Sequence, residues 1–218
     1  MVNYAAARHN MVENQIRTNR ITNNAVIDAL GKVPREAFVP KQLRGVAYLD
    51  EDIDLAGGRY LMEPLVFAAM LQAADINPDD VVLDVGCGTG YSAAVLARLS
   101  STVVALESDG EMVVRAGALL AGLSVDNVAV VGGSLTEGDP AHGPYQVIVI
   151  EGAVPRIPDR LLRQLTGGGR LVAVLADETG LGRVTVTTRV GEVFSSRVIV
   201  DASVRPLPEF HRKAEFIF

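Results

Sequence analysis

Residues 81–91 read VVLDVGCGTGY, an apolar run that ends in three glycines at alternate positions, Gly86, Gly88 and Gly90. A short Val-rich run of this kind suits a strand buried on both faces. Glycines directly after it let the chain turn sharply and let a ligand approach the backbone without meeting a Cβ. Working outward, TVVAL (102–106), VAVV (128–131), VIVI (147–150) and RLVAVL (170–175) repeat the buried-strand pattern. Between them YSAAVLARL, GEMVVRAGALLAGL and PDRLLRQL carry helical periodicity. Strand–helix alternation predicts an α/β fold with a doubly wound, mostly parallel sheet. The tail at 183–204 alternates apolar and polar residues around Gly191-Glu192, which predicts a C-terminal antiparallel hairpin closing one sheet edge.

The first third differs. MVENQIRTNRIT and NNAVIDALGKV have apolar residues at helical spacing, and Asn23 or Asn24 can cap the second segment. Pro34 and Pro40 punctuate PREAFVP too heavily for a long helix. GVAYLDEDIDLAGGRYL reads as a loop with short strands, and Pro64 suits the first turn of a helix through LVFAAMLQAADI. No linker or repeat divides the chain. It is expected to be one domain over 1–218, with a helical extension and substrate-side loop (1–63) before an α/β core (64–218).

The 218 residues are 49% apolar, with 21 glycines and no tryptophan, which suits a globular α/β enzyme. A net charge of −6 argues against nucleic acid or an anionic membrane as partner, since both need a basic face. Arg8, Arg17 and Arg20 read as a solvated helix face. Cys87 is the only cysteine, so no internal disulfide can form and a reducing, cytoplasmic setting is expected. No signal peptide or membrane-spanning run is evident. His9, His142 and His211 are scattered without metal-ligand spacing, so no metal is expected.

The glycine loop separates two cofactor classes. A dinucleotide fingerprint, G-x-G-x-x-G, needs a glycine at position 91, where this chain has Tyr91. D-x-G-x-G-x-G, from Asp84 to Gly90, resembles the first motif of class I S-adenosylmethionine-dependent methyltransferases, whose fold is Rossmann-like. Glu107 ends the next apolar run, where a carboxylate can accept both ribose hydroxyls. A dinucleotide and a ligand-free turn remain the alternatives. On the resemblance, Asp84, Gly86, Cys87, Gly88, Gly90, Tyr91, Glu107 and Ser108 form the cofactor side, with Gly133, Ser134 and Glu151 completing it. Cys87 has no histidine near it in sequence and reads as a small loop filler rather than a nucleophile.

MVENQIR, VIDALGKVPREAFVP and AYLDEDIDL before the loop, and VDNVAVVGGS with VIVIEGAVPRIPDRLLRQLTGGGRLVAVL after it, resemble the protein-L-isoaspartate O-methyltransferases. The likeness covers most of the chain and loosens after about residue 176. It implies methylation, with S-adenosylmethionine, of isoaspartyl carboxylates in aged proteins, by a monomer or weak homodimer. A carboxylate acceptor is already ionised at neutral pH, so the chemistry needs positioning more than acid–base help.

The chain departs from the family pattern at its substrate end. The family's G-H-G-Q-T-I-S-Q-P is here AGGRYLMEP (56–64), with Met62 at the hydroxyl position, Gly57 at the histidine and Glu63 at the second amide. Gly-Asp-Gly is GGS, with Gly133 at the aspartate; Phe-Asp is Tyr145-Gln146; and Glu151 replaces a small residue. Met62, Arg59, Glu63 and Glu151 are therefore the candidate acceptor-side residues. An added carboxylate at Glu63 or Glu151 would repel an anionic acceptor unless Arg59 balances it, and Arg59 itself reads either as the acceptor's anion clamp or as a surface charge. Each of the others has a structural reading too: Met62 as gap filler, Glu151 as a solvated loop acid. A methyltransferase with another acceptor, such as a small metabolite or a specific protein side chain, and a cofactor-binding protein without turnover are the rival functions.

Overall fold

Among the described residues of the computed structural model, nine strands, β1 (Ile53–Ala56), β2 (Arg59–Leu61), β3 (Val81–Val85), β4 (Thr102–Glu107), β5 (Val128–Gly132), β6 (Tyr145–Val154), β7 (Leu165–Ala176), β8 (Gly182–Val190) and β9 (Val193–Ala202), make two sheets. The structure describes residues 2–177 and 179–210. The large sheet has the order β5-β4-β3-β6-β7-β8-β9. β3 to β7 are parallel, and β8 and β9 run antiparallel at one edge. From β3 the chain winds outward through β4 and β5, then returns to place β6 on the other side. That reversal opens a crevice at the C-terminal ends of β3 and β6.

The Val-rich runs fill two core layers. Val82 packs on one face of the sheet, while Leu83 and Val85 pack on the other, all with no exposed surface. β5 corrects the expectation of burial on both faces: it is the sheet's far edge, and Ala129 and Gly132 are exposed. The hairpin forms as expected, turning at Gly191 with φ +62°, and β9 is exposed along nearly its whole length. PDRLLRQL is a single turn, α6 (Asp159–Leu162), because Leu165 already starts β7. Among the described residues no helix is long and apolar enough to cross a membrane.

The N-terminal extension packs on the α3 (Pro64–Ala74) side of the sheet. α1 (Tyr4–Met11) runs on through a π-turn and a 3₁₀ turn to Asn19, and Arg20 at φ +66° ends it. Asn23 caps α2 (Asn24–Lys32), accepting from the Ala25 and Val26 amides at 3.0 and 3.3 Å. Gln72 of α3 accepts from the Thr22 and Asn23 amides, pinning the turn between the two segments. Met11, Ile16 and Leu30 are fully buried, so the extension belongs to the same core. Arg8 is no free surface charge, since it donates to Tyr48 and pairs with Glu36.

Candidate active site

β3 delivers Asp84 and then the glycine loop. Gly86, Gly88 and Gly90 all have positive φ, +84°, +54° and +93°, which is the conformation that excludes most side chains. Gly90 also lets α4 (Tyr91–Leu96) sit close against α5 (Gly110–Gly122), where a Cβ would lie 3.3 Å from both Ala116 and Leu120. Tyr91 is accommodated by turning inward. It is 1% exposed and packs against Phe38 and Phe67.

Glu107 ends β4 with no exposed surface. Its Oε2 accepts from the Gly88 amide at 2.9 Å, and its Oε1 from the Ser108 and Asp109 amides at 2.8 and 3.1 Å. The acid thus ties the glycine loop to the end of the neighbouring strand. Arg59 of β2 adds Nε and Nη2, each 3.1 Å from Oε1. Arg59 is 6% exposed and pairs with Glu107 and Glu209, which corrects its reading as a surface charge or as a counterion to Glu63 or Glu151.

A second buried group lies beside the loop. Asp84 accepts from Ser92 Oγ at 2.7 Å, and its other oxygen has no partner. The Tyr91 hydroxyl, Arg35 Nη1 and Glu151 Oε1 are likewise buried and unpartnered. The four residues feel one another. Burial first, then Asp84, pushes the Glu151 carboxyl well above the ordinary range while Arg35 pulls it back. Burial also raises Asp84 to about 7, against the Ser92 bond and with help from the Glu107 charge. Two unpaired carboxyl oxygens and the unpaired guanidinium and phenol donors near them supply the charges and hydrogen-bonding groups that a zwitterionic amino-acid head would need.

Arg35 lies within PREAFVP beside Glu36, and nothing in that spacing predicts a role for it. It is completely buried, and its Cζ lies 5.0 Å from the Tyr91 ring centroid. Cys87 is 5% exposed, and burial pushes its thiol up, so it is not poised as a nucleophile. Gly133 donates to the Glu107 carbonyl at 3.0 Å, and Ser134 is exposed with its hydroxyl on Thr136. His142 pairs with Asp139, and His211 lies outside the described residues.

A family model described as Protein-L-isoaspartate(D-aspartate) O-methyltransferase (PCMT) matches residues 6–198. The chain belongs to the protein-L-isoaspartate O-methyltransferase family. Protein-L-isoaspartate O-methyltransferase 1 of Rhodopseudomonas palustris (strain HaA2) is 37% identical over 85% of this chain and 76% of its own length. The Methylorubrum populi enzyme is 36% identical over 93% of this chain and 95% of its own. A Plasmodium falciparum family structure in complex with S-adenosyl-L-homocysteine superposes with a TM-score of 0.78. That alignment covers 96% of this chain and all of the other at 16% identity, and so speaks for the fold. The class I S-adenosylmethionine-dependent methyltransferase fold is shared.

Within this methyltransferase family frame, the departing residues gather at the acceptor end. Met62, Glu151, Gly152 and Tyr60 line one cavity of only about 10 Å³, walled on the far side by Val204–Leu207. Glu151 lies inside β6, not on a loop. Glu63 stands apart, at the rim of a cleft of about 740 Å³ with Glu51, Asp52 and Arg205. Burial, then Asp50, Asp52 and Glu51, raise its carboxyl to about 7. Gln146, in place of the family aspartate, accepts from the Val81 amide at 2.8 Å and is structural.

Proposed function

We propose that this chain methylates the side-chain carboxylate of isoaspartyl residues in proteins or peptides, using S-adenosylmethionine. The observation that carries the reading is the buried quartet of unpartnered polar atoms on Asp84, Arg35, Tyr91 and Glu151, beside a glycine loop held open by positive φ. When bound, the cofactor supplies a methyl group on a sulfonium sulfur that departs as a neutral thioether. Asp84 would hold the ammonium of its methionyl end, and Arg35 with Tyr91 the carboxylate. Glu107 would take the ribose hydroxyls, and Ser108, Gly133 and Ser134 would border the adenine.

The acceptor needs no base, because its carboxylate is ionised at neutral pH. It needs alignment, an effect worth on the order of 7–11 kcal/mol at most. Met62 cannot donate a hydrogen bond. Glu151 can, because its environment favours the protonated form; we assign it the donor role left vacant at Met62. Ionised, it would repel the acceptor. Glu63, at the rim of the larger cleft, would meet the peptide flanking the acceptor residue.

A second reading, a different acceptor, is favoured by one observation: Met62, which has no hydrogen-bond donor for an isoaspartyl carboxylate, lines the cavity together with Glu151. The single buried cysteine suits the reducing cytoplasm. Transfer of tritium from labelled S-adenosylmethionine to an isoaspartyl peptide, with the aspartyl isomer as control, tests the assignment. Label on neither peptide, from protein that binds the cofactor, would favour the second reading.

A further inference from the structure

Glu107 Oε1 has no free lone pair left for a ligand. A carboxylate offers about four acceptor sites, two on each oxygen. The Ser108 and Asp109 amides and two nitrogens of Arg59 crowd onto Oε1, while Oε2 takes the Gly88 amide. Ribose hydroxyls that engage both oxygens therefore meet Arg59 at Oε1. Arg59 does not end there. Its Nη2 reaches Ser108 Oγ at 2.7 Å and Glu209 Oε1 at 3.1 Å. Glu209 in turn accepts from Ser108 Oγ and, through Oε2, from the Leu135 amide at 3.1 Å. So residues from β2, the end of β4, the loop after β5 and the C-terminal turn Pro208–Phe210 meet over one acid.

The backbone under this bridge is fixed. Ala153 holds the 205–207 segment through two backbone hydrogen bonds: its carbonyl accepts from the Leu207 amide and its amide donates to the Arg205 carbonyl, both at 2.9 Å. Leu207 and Phe210 are buried in the core layer. The Glu209 side chain, by contrast, is 32% exposed and makes polar contacts to Arg59, Ser108 and the Leu135 amide. The bridge is therefore two side chains set on a fixed backbone.

We propose that Arg59 and Glu209 form a latch across the nucleoside end of the cofactor site, which the ribose must displace from Glu107 on binding. The inference rests on the reading of Glu107 as the ribose acceptor. It carries a signature of its own: the latch covers the nucleoside end and leaves the methionyl quartet alone. Opening it must therefore help adenosine and S-adenosylhomocysteine as much as S-adenosylmethionine.

Calorimetric titration of the full chain with adenosine, S-adenosylhomocysteine and S-adenosylmethionine tests this, without any acceptor. Arg59→Gln is expected to tighten all three by about tenfold or more, the scale of a hydrogen bond to a charged group. Glu209→Gln, at a position exposed enough to leave folding intact, is expected to tighten all three by a smaller factor. Thermal melts of both variants without ligand verify the fold. Weaker or unchanged binding in a folded Arg59→Gln protein would overturn the latch, as would a gain confined to the methionine-bearing ligands. If Arg59→Gln does not fold, unchanged binding in Glu209→Gln overturns it alone. Loss of isoaspartyl transfer with tighter adenosine binding would count against the acceptor assignment and leave the latch standing.

Discussion

Arg35 Nη2 donates to the Met62 carbonyl at 2.6 Å, and its Nε donates to the Ala47 carbonyl at 2.7 Å. One buried guanidinium thus fixes the loop before α3 to the segment after PREAFVP, and sets where Met62 stands. Arg35→Met removes both donors from buried carbonyls, each worth about 1–3 kcal/mol when left unpaired. We expect a loss of roughly 2–4 kcal/mol in urea unfolding. Arg35→Lys should recover little of it, because an ammonium cannot span two carbonyls as a planar fork does. A Met variant as stable as the parent would mean that both carbonyls find other donors.

Glu107 is a structural residue as well as the proposed ribose acceptor. Read from the sequence alone, Glu107→Ala should weaken the cofactor more than the fold. With three amides and Arg59 on the carboxylate, the fold itself must suffer. Removing one member of a buried ion pair costs about 3–5 kcal/mol. A double-mutant cycle of Glu107→Gln with Arg59→Gln should then show coupling of roughly 0.5–3 kcal/mol in unfolding free energy. Additive effects would show that the pair is close without being coupled.

Stability should also depend on pH in a definite direction. Glu63 and Asp84 have folded-state values near 7, raised by burial above their unfolded values. A carboxyl raised on folding binds its proton more tightly in the native state. Its contribution is complete below the unfolded value and is lost as pH rises through 7. Melting temperature should therefore fall between about pH 4.5 and pH 7.5. Glu63→Gln should flatten the slope, and Asp84→Asn should flatten it further. A melting temperature that rises across that window would show other groups in control.

How much of this was legible depends on the range of each contact. VVLDVGCGTGY carries its strand, its turn and its helix within eleven residues, so hydrophobic pattern and glycine spacing were enough to read it. Pro64 and Asn23 mark helix starts through local chemistry for the same reason. β5 misled because VAVV is apolar whether a strand is central or at an edge; position in the sheet is not a local property. Arg59 stands out in the sequence as a candidate anion clamp, but its partners cannot be read there, and Glu209 and Leu207 carry no local signal. Arg59 meets Glu107 across 48 positions and Glu209 across 150, with nothing in either neighbourhood to announce it. Glu151 was singled out only against the family pattern. Its burial at Oε1 comes from packing that no spacing encodes.

The acceptor end supplies the last expectation. Glu151 and Met62 line the same small cavity, and of the two only Glu151 can donate a hydrogen bond. Glu151→Ala removes that donor, and transfer to an isoaspartyl peptide should fall about ten- to a hundredfold in kcat/KM. Glu151→Gln keeps a donor of similar reach and should stay within a fewfold of the parent. The two differ again in pH dependence. The parent needs the protonated acid, whose value is raised by burial and Asp84, so its activity should decline as pH rises through that value. The glutamine variant should lose that limb. Met62→Ser placed in the Glu151→Ala background puts a hydroxyl into the same cavity and should restore part of the lost rate. Equal turnover by the parent and Glu151→Ala, with the same pH profile, would remove Glu151 from the reaction and leave acceptor alignment to backbone groups.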